Sequence, residues 1–306
     1  MLIRPSSSLP LFLLCCFTLP VSAAQKPAAK IDASQWKVVE QAMGRPGQEQ
    51  NDGALRFAMP RKDLHVTVAG IEIKPGFALG SWVAFDHPGE GAMLMGDLVL
   101  TEDEVPKVMQ KLEAGGVNVN ALHNHLLNET PHVMYMHIGG EGDAVKLAQA
   151  LRAAIAETGT PAASASAAAP AAQNIDLDEK QLVGIIGRTG KQNGGIFQFS
   201  IPRAEHVTVG GKSIPNSLGL GTTLNFEPTG GGKAAITGDF VLLSKEVNPV
   251  IHALIQNGIA VTALHGHMLG DKPRLFFMHF WAVDDAAKLA RGLRAALDKT
   301  TSAPAQ

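Results

Sequence analysis

The chain has 306 residues, room for about two ordinary domains. Hydrophobic residues make up 45% and charged residues 18%, which excludes a disordered, collagen-like or coiled-coil chain. With 26 Lys+Arg against 28 Asp+Glu the formal net charge is −2, so no basic field recommends nucleic acid or an anionic membrane as a partner.

Residues 1–23 read as a secretory signal peptide. Arg4 supplies the positive start, the apolar run from Leu9 to Val21 is interrupted by Pro10 and Pro20, and Val21-Ser22-Ala23 ends in the small residues a signal peptidase needs. The run is too short to span a bilayer, and no other run is longer, so no transmembrane segment is expected. The expected location is periplasmic or secreted. Both cysteines, Cys15 and Cys16, lie inside this segment, so the mature chain is expected to lack thiols. Phe12-Leu13-Leu14 are bulky where a lipoprotein signal has small residues, which disfavours a lipid anchor.

The rest of the chain is one domain written twice. The segment from Met95 aligns without a gap to the segment from Thr237: 239−97, 265−123, 267−125, 279−137 and 293−151 all equal 142. Residues 31–158 form the first repeat and 174–300 the second. Between them 159–173 has the Ala/Pro/Ser composition of a linker, and 301–306 reads as a disordered tail.

Within the second copy, Ile196 to Ile201, His206 to Val209, Thr222 to Phe226 and Ala234 to Leu243 read as strands, and Gly230-Gly231-Gly232 as a hairpin turn. Ser244 is the expected N-cap of a helix carrying Val247, Val250, Ile251, Leu254 and Ile255 to a stop at Asn257-Gly258. Ile259 to Leu269 and Leu275 to Val283 are strands joined by a turn. Asp284-Asp285 opens a last helix with the stripe Ala286, Leu289, Ala290, Leu293 and Leu297. The order predicts an α+β class: two homologous domains, each an antiparallel or mixed sheet with two helices on one face.

Each copy carries H-x-H and a third His twelve residues later: His123, His125 and His137, then His265, His267 and His279. Residues two apart on a strand share a face, and an in-register hairpin sets odd-numbered residues opposite odd-numbered ones. Three imidazoles therefore converge on one sheet face in each domain. Such a trio suits a first-row transition metal, zinc being the reference case, with Glu129 and Asp271 as possible additional ligands. Ligand type alone does not separate Zn, Mn, Fe, Ni and Cu.

His65 and His206 read as strand-edge residues, Asp97 and Asp239 as turn or cap residues at a strand start, and Arg61 and Arg203 as a surface pair. Met134, Met136, Met278, Phe276 and Phe280 alternate with the His face and read as core. Tyr135, Phe277 and Trp281 share the His face and suggest a partly apolar pocket for a small ligand.

The repeated blocks GD[LF]VL, ALH[NG]H, MH and LRAA resemble the LppY/LpqO family of exported bacterial proteins and lipoproteins of unknown function. The resemblance covers nearly the whole mature chain and implies export and a tandem architecture, with no activity to carry over. His123-x-His125-x₃-Glu129 also looks like a cupin metal motif, but the helix before it does not fit a cupin jelly roll. Two readings follow. One is a metal-binding protein with a three-His cluster in each domain. The other is a metal-free module that binds a cell-envelope glycan or small molecule on the same aromatic-lined face. In both, the two domains have the option of packing on each other.

Overall fold

The computed structural model describes residues 33–163 and 174–302. The expected signal peptide, residues 164–173 of the expected linker and residues 303–306 lie outside the described residues.

In the first repeat the order is α1 (Ala33–Met43), β1 (Gln48–Glu49), β2 (Leu55–Pro60), β3 (Thr67–Val68), β4 (Ile71–Glu72), α2 (Pro75–Ala78), β5 (Gly80–Phe85), β6 (Ala92–Thr101), α3 (Val105–Ala114), β7 (Asn118–His123), β8 (Glu129–Thr130), β9 (Val133–Gly142) and α4 (Ala144–Ile155). The second repeats it: α5 (Glu179–Ile186), β10 (Gly190–Asn193), β11 (Ile196–Pro202), β12 (Thr208–Val209), β13 (Lys212–Ser213), a 3₁₀ turn (Asn216–Leu218), β14 (Gly221–Gly230), β15 (Lys233–Leu243), α6 (Ser244–Gln256), β16 (Ala260–His265), β17 (Asp271–Lys272), β18 (Leu275–Asp285) and α7 (Ala286–Leu297). The long strands make two antiparallel sheets, β1-β2-β5-β6-β9-β7 and β10-β11-β14-β15-β18-β16.

The α+β class holds, with each sheet antiparallel and helices covering one face. Each repeat uses three helices there rather than the expected two. In the first, Trp36, Val39 and Met43 of α1 join Val108 and Leu112 of α3 and Leu147, Leu151 and Ile155 of α4 against Phe57, Leu94, Leu98, Met136 and Ile138 of the sheet. The last helix behaves as its stripe predicts. Asp285 caps it by accepting from Lys288 N–H, and Ala286, Leu289, Ala290, Leu293 and Leu297 are buried. Each fully buried Leu contributes about 1.5–3 kcal/mol of transfer free energy. At α6, Ser244 is the first helical residue rather than the cap, and the Glu246 carboxylate accepts from Leu243 N–H.

The opposite faces of the two sheets meet each other. Two mixed clusters fill the contact: Ala84, Met93 and Met95 with Leu218, Leu220, Val241 and Phe277, and Phe77, Val99 and Tyr135 with Ile196, Ala235 and Trp281. Short excursions clasp the neighbouring repeat reciprocally. From α2, Phe77 offers its carbonyl to Asn225 Nδ2 at 3.0 Å and packs edge-on to Trp281. From the 3₁₀ turn, Ser217 N–H and hydroxyl donate to Asp52, and its carbonyl accepts from Arg56 at 2.9 Å.

Arg61 and Arg203 are not a surface pair. Arg61 is 1% exposed, donates to Val99 O and binds Glu104 at 2.7 Å. Arg203 repeats this with Val241 O and Glu246. The same glutamates accept from Gly159 N–H and Thr301 N–H, so the first residues of the expected linker and tail are held against the fold.

Candidate metal centre

The hairpin register places the histidines as their parity requires. Ala121 pairs with His137 and His123 with Tyr135; in the second repeat Ala263 pairs with His279 and His265 with Phe277. Each edge strand carries a bulge, but it falls before the doublet, at Asn120 and Thr262. Both bulged residues reach the other repeat: Asn120 Nδ2 donates to His267 O at 3.0 Å, and Thr262 Oγ1 donates to His125 O at 2.5 Å.

Because the His-bearing faces meet, the two trios do not form two separate sites. They merge. His123 lies on His265 with ring centroids 3.5 Å apart, His125 on His279 at 3.7 Å, and His137 on His267 at 3.6 Å. Within the first trio the centroids are 4.9–6.3 Å apart. Tyr135 closes the stack beyond His125 at 3.4 Å, and its equivalent Phe277 closes it beyond His267 at 3.3 Å. These two rings are 1% and 0% exposed, so they wall the cluster.

Backbone carbonyls fix the tautomers. Nδ1 of His123 meets Asn124 O at 2.9 Å, Nδ1 of His265 meets Gly266 O at 3.3 Å, and Nδ1 of His279 meets Gly238 O at 2.9 Å. A carbonyl only accepts, so each of these nitrogens carries the proton and each Nε2 keeps its lone pair. The Nε2 atoms of His123, His125, His137 and His267 are buried without a hydrogen-bond partner. His265 Nε2 and His279 Nε2 point lone pairs at each other across 2.9 Å. Burial lowers the pKa of His123 to about 4 and of His265 to about 3. It holds His125, His137, His267 and His279 well below their ordinary value, with the neighbouring imidazoles adding to the effect. The cluster is neutral and rich in free lone pairs.

Three overlapping sets bring one ligand atom from each member within 4.8 Å of the others: His123, His125, His265 and His279; His137, His265 and His267; and Asp97, His125 and His137. The first two sets draw on both repeats. All six predicted histidines take part. Glu129 and Asp271 belong to none of the sets. Glu129 faces His132 Nδ1 at 2.6 Å, and Asp271 accepts from Leu275 N–H and Arg274. His65 is exposed beside Glu72, and His206 is exposed as well.

Asp97 and Asp239 are neither turns nor caps. They sit within β6 and β15, opposite His137 and His279 in register. Burial, with Asp239 nearby, pushes Asp97 up to about 8, and burial pushes Asp239 up to about 7. The signal for them was a single acid inside an apolar strand, as in Met93-Leu94-Met95-Gly96-Asp97-Leu98-Val99-Leu100.

A family model described as Domain of Unknown Function (DUF1259) matches residues 37–157 and again 180–299. The chain belongs to this family. It carries the domain as a tandem pair. No curated protein matches the chain. Among solved structures it is similar to a trimeric bacterial microcompartment shell protein, PduB, at 14% identity over 80% of this chain and 86% of that one, with a TM-score of 0.19. It is also similar to EtuB from Clostridium kluyveri, at 9% identity over 82% and 90%, with a TM-score of 0.19. At that score neither likeness bears on fold or function.

Proposed function

We propose that this is an exported metal-binding protein whose two repeats together hold one transition-metal centre. The observation that carries the reading is the convergence of imidazoles from both repeats into shared ligand sets, with Nδ1 of His123, His265 and His279 tied to backbone carbonyls so that their Nε2 atoms are left unprotonated. Neutral imidazoles with Nδ1 tied to carbonyls are oriented metal ligands, and the carbonyl contacts are the outer support such ligands use. Lone pairs facing each other at 2.9 Å repel unless a proton or a cation lies between them, and burial opposes the proton. An all-imidazole set suits Zn, Cu, Fe or Ni. Export rests on the sequence pattern of residues 1–23.

Elemental analysis of untagged, dialysed protein tests this. The wild type should carry a transition metal, and His125→Ala/His265→Ala should lose all of it, because each of the three ligand sets contains at least one of these two residues. Metal retained at the wild-type level would mean that it is held outside the histidine cluster. No metal in the wild type, with no change in melting temperature on adding metal ions, would defeat the proposal outright.

A further inference from the structure

The two repeats are equivalent in their histidines but not in the carboxylates beside them. Thr223 stands opposite Asp239 in register, and its hydroxyl and N–H both donate to that carboxylate. The residue opposite Asp97 is Trp82, whose ring is covered by the Arg56 guanidinium at 3.8 Å. Arg56 in turn spends a donor on Ser217 O. Asp97 is 6% exposed, and its Oδ1 has no hydrogen-bond partner. Its Oδ2 lies 3.7 Å from His125 Nε2, and its Oδ1 lies 3.8 Å from His137 Nδ1. Ligands at about 2.0–2.2 Å from one ion stand roughly 3–4 Å from each other, so the separation from His125 Nε2 is that of co-ligands.

We infer that Asp97 is a metal ligand of the centre and that Asp239 is not, so one position is a two-His-one-carboxylate set made by Asp97, His125 and His137. Among the described residues no matching set forms around Asp239. The difference traces to one aligned position, Trp82 in the first repeat and Thr223 in the second. A carboxylate oxygen makes this position harder than the imidazole sets, and it suits Mn(II) or Fe(II) better than they do. The inference rests on the composite-centre reading.

The test titrates metal-free protein with Mn(II) and with Zn(II) for wild type, Asp97→Asn and Asp239→Asn. Asp97→Asn should weaken Mn(II) binding at least about 10-fold, and Zn(II) binding less, while Asp239→Asn matches the wild type. Equal affinities in Asp97→Asn and wild type, or equal losses in the two variants, would overturn the assignment. Where Asp97→Asn does not fold, anomalous scattering from wild-type crystals loaded with Mn(II) decides: an ion bonded to Asp97 supports the inference, and an ion held by imidazoles alone refutes it. Wild type that binds no metal at all, or metal that survives His125→Ala/His265→Ala, marks failure of the underlying reading instead.

Discussion

Acid should open the metal-free protein between pH 6.5 and 4.5, and the centre itself sets the size of the effect. In the unfolded chain the six histidines titrate near 6.5. In the fold, burial holds His123 at about 4, His265 at about 3 and the other four well below their ordinary value. Groups with lowered folded pKa values contribute stability that is present above the unfolded pKa and is lost as the pH falls. Asp97 and Asp239 work the other way. Raised to about 8 and about 7, they keep protons in the fold that the unfolded chain releases near 3.9, so they oppose the loss. Six protons against two leaves four bound by the unfolded state, and at about 1.4 kcal/mol per proton per pH unit the slope is about 5 kcal/mol per unit. A fold with about 5–15 kcal/mol in hand is exhausted within one to three units. Urea unfolding followed by circular dichroism from pH 8 to pH 4.5 measures this directly. Stability that stays level, or rises, on going from pH 7 to pH 4.5 would refute the claim that the six rings form a buried neutral cluster. Metal-loaded protein should release its metal over the same window, since protons and metal compete for the same nitrogens.

Other perturbations have distinct readouts. Gly238→Ala would put a Cβ 1.9 Å from Thr223 O at a φ of +155°, on the residue whose carbonyl orients His279; both thermal stability and metal content should fall, and an unchanged melt would contradict the packing. Glu246→Ala leaves the buried Arg203 with Glu205 and the Val241 carbonyl but removes its bidentate carboxylate, and should cost about 1–3 kcal/mol in chemical denaturation. A loss below 1 kcal/mol would mean that Arg203 finds solvent. Tyr135→Phe keeps the ring against His125, as Phe277 does against His267, and removes only the 2.9 Å bond to Ala78 O. It should cost about 1 kcal/mol and leave metal content unchanged; loss of metal would give the hydroxyl a role the stacking does not require.

Much of the fold was legible because burial follows period. The stripe on α7 and the alternation of Met136, Met278 and Phe280 against the His face both hold. The helices α1 and α5 were missed although Trp36, Val39 and Met43, and Leu182 and Ile186, carry the helical spacing. Each pattern spans only two or three turns, too little for periodicity to stand out. Arg61 and Arg203 were misplaced because an arginine's burial depends on a glutamate 43 residues away, a distance no local pattern carries.

The three-His trio was legible for a different reason than its completion. Parity on a hairpin is a local property, so H-x-H plus a third His fixes a shared face without knowledge of anything else in the fold. The meeting of the two faces is not local. It depends on α2 clasping Asn225 and on the 3₁₀ turn clasping Asp52, contacts 148 and 165 residues apart in sequence. A single repeat would leave its trio on a sheet face open to water, where imidazoles are free to hydrogen-bond and titrate normally. Packing two copies face to face buries both trios at once, and the Asn120 and Thr262 bonds lock each doublet onto the opposite repeat. Duplication therefore does more than double a site: it supplies the desolvation that keeps the imidazoles unprotonated, and it lets one local difference, Trp82 against Thr223, make the two halves chemically unlike.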